Sequence, residues 1–246
     1  MTQDHEAIRD AYRQRRGHWN DDLEALLAYS PAYVTAYLEF SAYVADRGTL
    51  TPKFRELIYV ATNCTPTHMF EKGLRNHAKQ AIALGATSAE LLSVAATVSA
   101  MGIYSYQLVA DTIAELLPET VEGTAPDDVR RITADHAELF GEVTVNAATG
   151  IALDADFHAT WLDFAAAPVR GPYAALSYKE AHLLALAVHA QCTQLSPDGV
   201  RQHARAAIAH GASVDEVLDV GRLVSSMGIH AMMFALPTIT DLMRGD

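Results

Sequence analysis

The sequence has little cysteine. Cys64 and Cys192 are its only two, and they form neither a disulfide framework nor a Cys-x-x-Cys pair. Basic residues are also scarce, with 18 Lys and Arg against 30 Asp and Glu, for a net charge of −12. Nucleic acid binding needs Lys and Arg to neutralise phosphate, so nucleic acid is a poor partner. An anionic membrane surface is disfavoured for the same reason. No apolar stretch runs to about 18 residues without a charge or a proline, which argues against an ordinary membrane-spanning helix. The N-terminal MTQDHEAIRDAYRQRR lacks the apolar core and cleavage site of a signal peptide, so a cytoplasmic location is expected. β-branched alternation of useful length is missing as well, and no strand is predicted. What remains is a globular composition, 50% apolar and 20% charged. A chain of 246 residues is long enough to bury a core without disulfides or metals.

The sequence repeats itself. GLRNHAKQAIALGATSAELLSVAATVSAMGI at 73–103 lies over GVRQHARAAIAHGASVDEVLDVGRLVSSMGI at 199–229 without a gap, and 17 of the 31 positions are identical. The offset is 126 residues here, and KFRELIYVA (53–61) meets KEAHLLALA (179–187) at the same offset. SPAYVTAYLEF (30–40) finds a counterpart at an offset of 124, so a two-residue loop change falls between about 40 and 53. The chain divides into an N-terminal arm and first repeat (1–117), a linker with a helix (118–151) and a second repeat (152–246).

Helix signals fill both repeats. Thr51-Pro52 reads as an N-cap followed by Pro at the first helical position, and Ser177 does the same job later. Thr67 or a neighbour opens the next helix, which ends at Gly85. Ser196-Pro197 and Gly211 bracket its counterpart. Thr87-x-x-Glu90 and Ser213-x-x-Glu216 are capping boxes, each opening a long apolar helix that stops near Pro118 or Pro237. Gly102 and Gly228 inside those helices suggest close helix approach. Asp127 is placed to cap a helix over 128–141.

Arg55-Glu56-Leu57, then Leu74-Arg75-Asn76-His77, then Gly85-Ala86-Thr87 and Glu90 form a pattern. Val200-Arg201-Gln202-His203, then Gly211-Ala212-Ser213 and Glu216 repeat its later parts. This pattern resembles the carboxymuconolactone decarboxylase and AhpD-like family. The resemblance implies an all-α fold of two tandem AhpD-like repeats related by a pseudo-two-fold. It also implies a homo-oligomer, a trimer of tandem chains. The AhpD-like branch uses a Cys-x-x-Cys ending four residues before the helix histidine. Gly73 and Phe70 stand at those positions before His77, and Gly199 and Ser196 before His203, so the pair is absent from both repeats. The decarboxylase branch fits better. It implies a lyase or isomerase acting on a small carboxylated or carbonyl compound without metal or organic cofactor.

A histidine can move a proton in either direction near neutral pH, so His77 and His203 lead the catalytic candidates. The bland alternative is a boundary histidine. The resemblance makes Glu56 a proton relay to His77, whereas a plain reading leaves it a first-turn Glu favoured by the helix dipole. His182 stands at the matching place in repeat two, so a Glu–His relay exists once. Arg75 and His182 join the catalytic candidates and Arg201 the binding ones, although Arg75 and Arg201 precede the histidines by two positions, about 200° around the helix, so a cation or acid that meets the histidine is expected from another helix. Tyr59, Tyr104 and His230 sit at apolar helical positions, either as core or lining a cleft. His182, His189, His203 and His210 repeat at a spacing of seven and, with Cys192, read as surface histidines rather than metal ligands. Cys64 and His68 could form a nucleophile–base pair, though Pro66 lies between them. The rival functions are an alkylhydroperoxidase-like redox protein and a non-catalytic small-molecule binding protein.

Overall fold

The computed structural model describes residues 2–121, 127–172 and 174–244. Among the described residues every regular element is helical. The first half runs through α1 (Thr2–Arg16), α2 (Asp21–Tyr29), α3 (Pro31–Ser41), the short α4 (Tyr43–Arg47), α5 (Pro52–Asn63), α6 (Glu71–Ala83), α7 (Ser88–Ala100) and α8 (Ile103–Leu116). The second half holds α9 (Asp127–Phe140), α10 (Val145–Leu153), α11 (Ala155–Ala166), α12 (Tyr178–Ala190), α13 (Pro197–Ala209), α14 (Val214–Ser225) and α15 (Ile229–Arg244).

Local chemistry explains the helix starts. Thr51 accepts a hydrogen bond from Phe54 N, with Pro52 in the first turn. Thr87, Ser177 and Ser213 each form a complete capping box with the Glu three residues on. Gly85 and Gly211 turn the chain at φ +89 and +92, which only glycine adopts without strain. Lys53–Glu90 (2.6 Å) and Lys179–Glu216 (2.8 Å) tie matching helices together at the same offset of 126.

The bounds of α5 to α8 and of α12 to α15 correspond at that offset. The bounds of α1, α2 and α3 correspond to those of α9, α10 and α11 at an offset of 124. N-caps fall in register too, Asn20 with Thr144 and Ser30 with Asp154. So do Gly17 and Gly141, at φ +76 and +77. The stretch 118–151, read as a linker, therefore carries α9 and most of α10. These pack on α11 through Ile132, Leu139, Phe140, Ile151 and Leu162, whereas α1 to α3 close over Leu23, Leu27, Val34 and Leu38 with Ile229 and Leu236 of α15. The central layer is α5 against α12, where Leu57, Ile58, Leu183 and Leu184 are fully buried.

Several expectations need correction. The helix assigned to Thr67 starts at Glu71, because 65–69 fold into a turn that passes through Met69 at φ 41. Leu195 repeats that turn at φ 44. The long apolar helices are each broken in two, at Met101–Gly102 and at Ser226–Gly228. A Cβ at Gly102 would meet only Ser99 O at 3.6 Å, and one at Gly228 nothing, so close helix approach does not explain these glycines. Pro237 lies inside α15, which continues to Arg244. Taken across the breaks, Ser88–Leu116 and Val214–Met243 are long and apolar enough to cross a membrane by length and composition, unlike the sequence expectation, and a third of each is buried. The acidic stretch 118–128 includes 122–126, which lie outside the described residues, and α9 begins at Asp127 itself.

Candidate active site

Glu56 and His77 meet in the first half. Glu56 comes from the first turns of α5 and His77 from the middle of α6, and Glu56 Oε2 lies 2.7 Å from His77 Nδ1. Both are buried, at 8% exposure each. A carboxylate accepts only, so Nδ1–H donates to it and Nε2 carries the lone pair of the neutral ring. Tyr59 stacks on the imidazole at 4.5 Å between centroids and 26°. Gly73, which occupies a position of the absent cysteine pair, lets α6 approach α5. A Cβ there would lie 2.3 Å from Asn63 Oδ1.

A cleft of about 200 Å³ opens on His77. Its walls include Arg16, His18, Tyr37, His77 and, from α15, His230 and Met233. The arginine is the cation that sequence reasoning expected from another helix but did not locate. It lies at the end of α1, 5.2 Å from the Tyr59 ring, and its Nη1 donates to Ser41 O at 3.4 Å. Its Nε–H is buried without a partner. Burial works against its charge, but Tyr59, Tyr12, Tyr37 and Glu56 outweigh that and hold its pKa up. Burial, then the charges of Arg16 and His77, push His18 down to about 4. Burial, with His68 and His77, does the same to His230. Both are neutral at pH 7, which leaves His77 as the histidine with a carboxylate partner. Gly17, in the left-handed region between Arg16 and His18, turns the chain so that both reach the cleft. No signal separates Arg16 from a solvated helix end in the sequence alone.

Other candidates lie elsewhere. Arg75 is exposed at the rim, paired with Glu71 at 2.7 Å, and Arg201 is paired with Asp198 at 2.8 Å. Neither touches a histidine of the motif. Tyr59 is 2% exposed and reaches the site only through its ring. Cys64 ends α5, donates to Ala61 O, and burial pushes its thiol up to about 11. His68 bonds His230 Nδ1 at 2.9 Å instead of the cysteine. The nucleophile–base pair is therefore not formed.

The second half brings His182 and His203 together differently. His182 Nε2–H donates to Leu139 O at 2.9 Å, so its Nδ1 accepts from His203 Nδ1 at 3.1 Å. His203 Nε2 is then an acceptor 2.9 Å from the Tyr104 hydroxyl, which also lies 3.1 Å from Gln202 Oε1. His182, His189 and His203 are buried, at 4%, 2% and 3% exposure, so the surface-histidine reading is overturned. Burial pushes His182 and His189 down to about 4 and drives His203 well below the ordinary histidine value. Phe140 stands where Arg16 stands at the offset of 124, and Trp161 stacks on it at 5.3 Å. With Tyr104, Leu139 and Ala185 they leave an apolar void of only about 40 Å³ beside His203.

Tyr104 belongs to α8 of the first half but serves His203 of the second. His230 belongs to α15 of the second half but walls the cleft of His77. Each half's last helix thus covers the other half's histidine. The segment holding Glu56 and His77 also matches a known family. Residues 31–110 match the carboxymuconolactone decarboxylase family. The decarboxylase family segment spans α3 to most of α8, so Arg16 and His230 stand outside it. Over 98% of both chains, the fold also matches a crystal structure from Burkholderia xenovorans LB400 with a TM-score of 0.90 and 26% identity. That protein is provisionally named a gamma-carboxymuconolactone decarboxylase subunit. No curated protein sequence matches the chain.

Proposed function

We propose that the protein is a cofactor-free lyase of the carboxymuconolactone decarboxylase type, with its working site at His77 in the first half. One observation carries this reading: a histidine bonded to a buried carboxylate at 2.7 Å, in a cleft that also holds a buried arginine with an unpaired N–H. Loss of CO₂ from an unsaturated carboxylate pushes the C–C bonding pair into the conjugated carbonyl and leaves a dienolate. Arg16 supplies the cation for the oxygen on which that charge collects. His77 Nε2 first takes a proton from solvent and then delivers it to carbon, which returns the ring to its neutral Nδ1–H form. Glu56 fixes the ring tautomer and stabilises the imidazolium while it exists.

The His203 site has a neutral histidine in place of the carboxylate and Phe140 in place of the cation, so it has neither the charge nor the space for this step. The test uses γ-carboxymuconolactone and follows CO₂ release. The wild-type chain turns it over. His77→Gln and Glu56→Gln each lower kcat by about 10²–10⁴-fold, the usual worth of positioned acid–base help. Arg16→Gln lowers kcat as well as raising KM, and His203→Gln has the smallest effect of the four. No release by the wild-type chain, or a larger loss at His203 than at His77, refutes the reading.

A further inference from the structure

A second cleft, of about 340 Å³, lies where the offsets place the counterpart of the His77 cleft. At 126 residues, Arg75, Asn76, Lys79 and Met233 of the first correspond to Arg201, Gln202, Arg205 and, counting back from α15 to α8, Gln107. At 124 residues, His18, Asn20 and Asp22 correspond to Glu142, Thr144 and Asn146. The cleft is present, but His203 is not among its walls and lies beneath Tyr104 and Phe140.

Its chemistry has also changed. The first cleft is lined by Arg16, Lys72, Arg75 and Lys79 against Asp22 alone. In the second, Arg201 pairs with Asp198 at 2.8 Å and Arg205 with Glu142 at 3.2 Å, so its charges cancel. The decisive residue is Gln107. It is 4% exposed, lines this cleft, and makes no hydrogen bond to any described residue. Its amide is not sealed in the core: it opens on the cleft, where no described residue pairs with it. The corresponding residue in the other cleft is methionine, so packing alone does not call for an amide here.

We propose that this second cleft is a non-catalytic binding site for a small uncharged molecule that presents an adjacent N–H and C=O, such as a lactam or a pyrimidine edge. A glutamine amide offers one acceptor and one donor side by side, and a cis-amide edge pairs with both. Val143 and Val145 supply an apolar wall for the rest of the ring. The site is independent of the proposed lyase chemistry and needs none of its residues.

The experiment titrates the full chain, labelled with ¹⁵N in glutamine side chains, with 2-pyrrolidinone and separately with butyrate. The Gln107 side-chain amide resonance is expected to move saturably with the lactam, with a millimolar Kd, and to stay still with the carboxylate. Gln107→Met, which installs the residue of the first cleft, weakens lactam binding at least tenfold and leaves the melting temperature unchanged or raised. A resonance that does not saturate by about 100 mM, or that responds equally to butyrate, overturns the proposal. A fall in melting temperature on Gln107→Met overturns it too, because the amide would then be structural.

Discussion

At the residue scale, one exchange separates the halves: Glu56 against His182. The same histidine at the same offset bonds a carboxylate in one half and a neutral ring in the other. Gly17 sets a second constraint. Its φ of +76 lies in the left-handed region, and a Cβ there would stand 2.9 Å from Gln80 Oε1. Gly17→Ala is expected to lower stability by about 1–2 kcal/mol, read as a drop in the urea midpoint. It should also raise KM, because Arg16 and His18 hang on that turn. Glu56 and His77 were legible because a motif carried them. Arg16 was not, since a buried cation and a solvated one look alike at a helix end. Three of the four spaced histidines of the second half, His182, His189 and His203, are buried and not surface groups; a spacing of seven does not say which side of a helix faces inward. His189 packs over Gly199, where a Cβ would fall 2.2 Å from its Nδ1, a contact between helices that no local pattern records.

At the element scale, the repeats reach further than the sequence identities do. Helices α1 to α3 share bounds, caps and a left-handed glycine with α9 to α11, yet Tyr12 stands against His136, Arg16 against Phe140 and Tyr37 against Trp161. Backbone signals such as Asn, Ser, Thr or Asp at N-caps persist when side-chain contacts are rewritten. That is why the N-terminal segment reads as an arm and 118–151 as a linker. The rewritten contacts carry a pH signature. His136 and His158 bond each other at 3.0 Å, and burial pushes them down to about 3 and about 4. The next titratable neighbour of His136 is the buried His203, and no carboxylate bonds His136 or His158 among the described residues. Each folded value lies below the unfolded one near 6.5. The unfolded chain therefore takes up protons first as pH falls. Stability is complete above about pH 6.5, declines as pH drops toward 4, and levels off below. Each such histidine removes roughly 3 kcal/mol at the low end. Melting followed from pH 7.5 to 4 should show that decline, and His136→Leu paired with His158→Leu should make it shallower, with the remainder left to the other buried histidines.

At the scale of the whole molecule, the apolar runs that look long enough to span a bilayer leave Leu92, Leu108, Leu116, Phe234 and Leu242 exposed at 70% or more on a single chain. Packing between copies would cover such side chains. Sedimentation in micromolar protein is expected to give a multiple of 26.6 kDa, and a mass of a single chain would contradict this. The crossing of α8 and α15 has its own consequence. Hydrolysing the peptide anywhere between 121 and 127 leaves an amino-terminal piece with Arg16, Glu56 and His77 but no His230 or Met233 to wall its cleft. The carboxyl-terminal piece keeps His203 but has no Tyr104 to accept from. Neither fragment owns a finished pocket, so each alone should be inert. Mixed in equal amounts they should find one another and restore turnover, as two interlocked strangers rather than one chain.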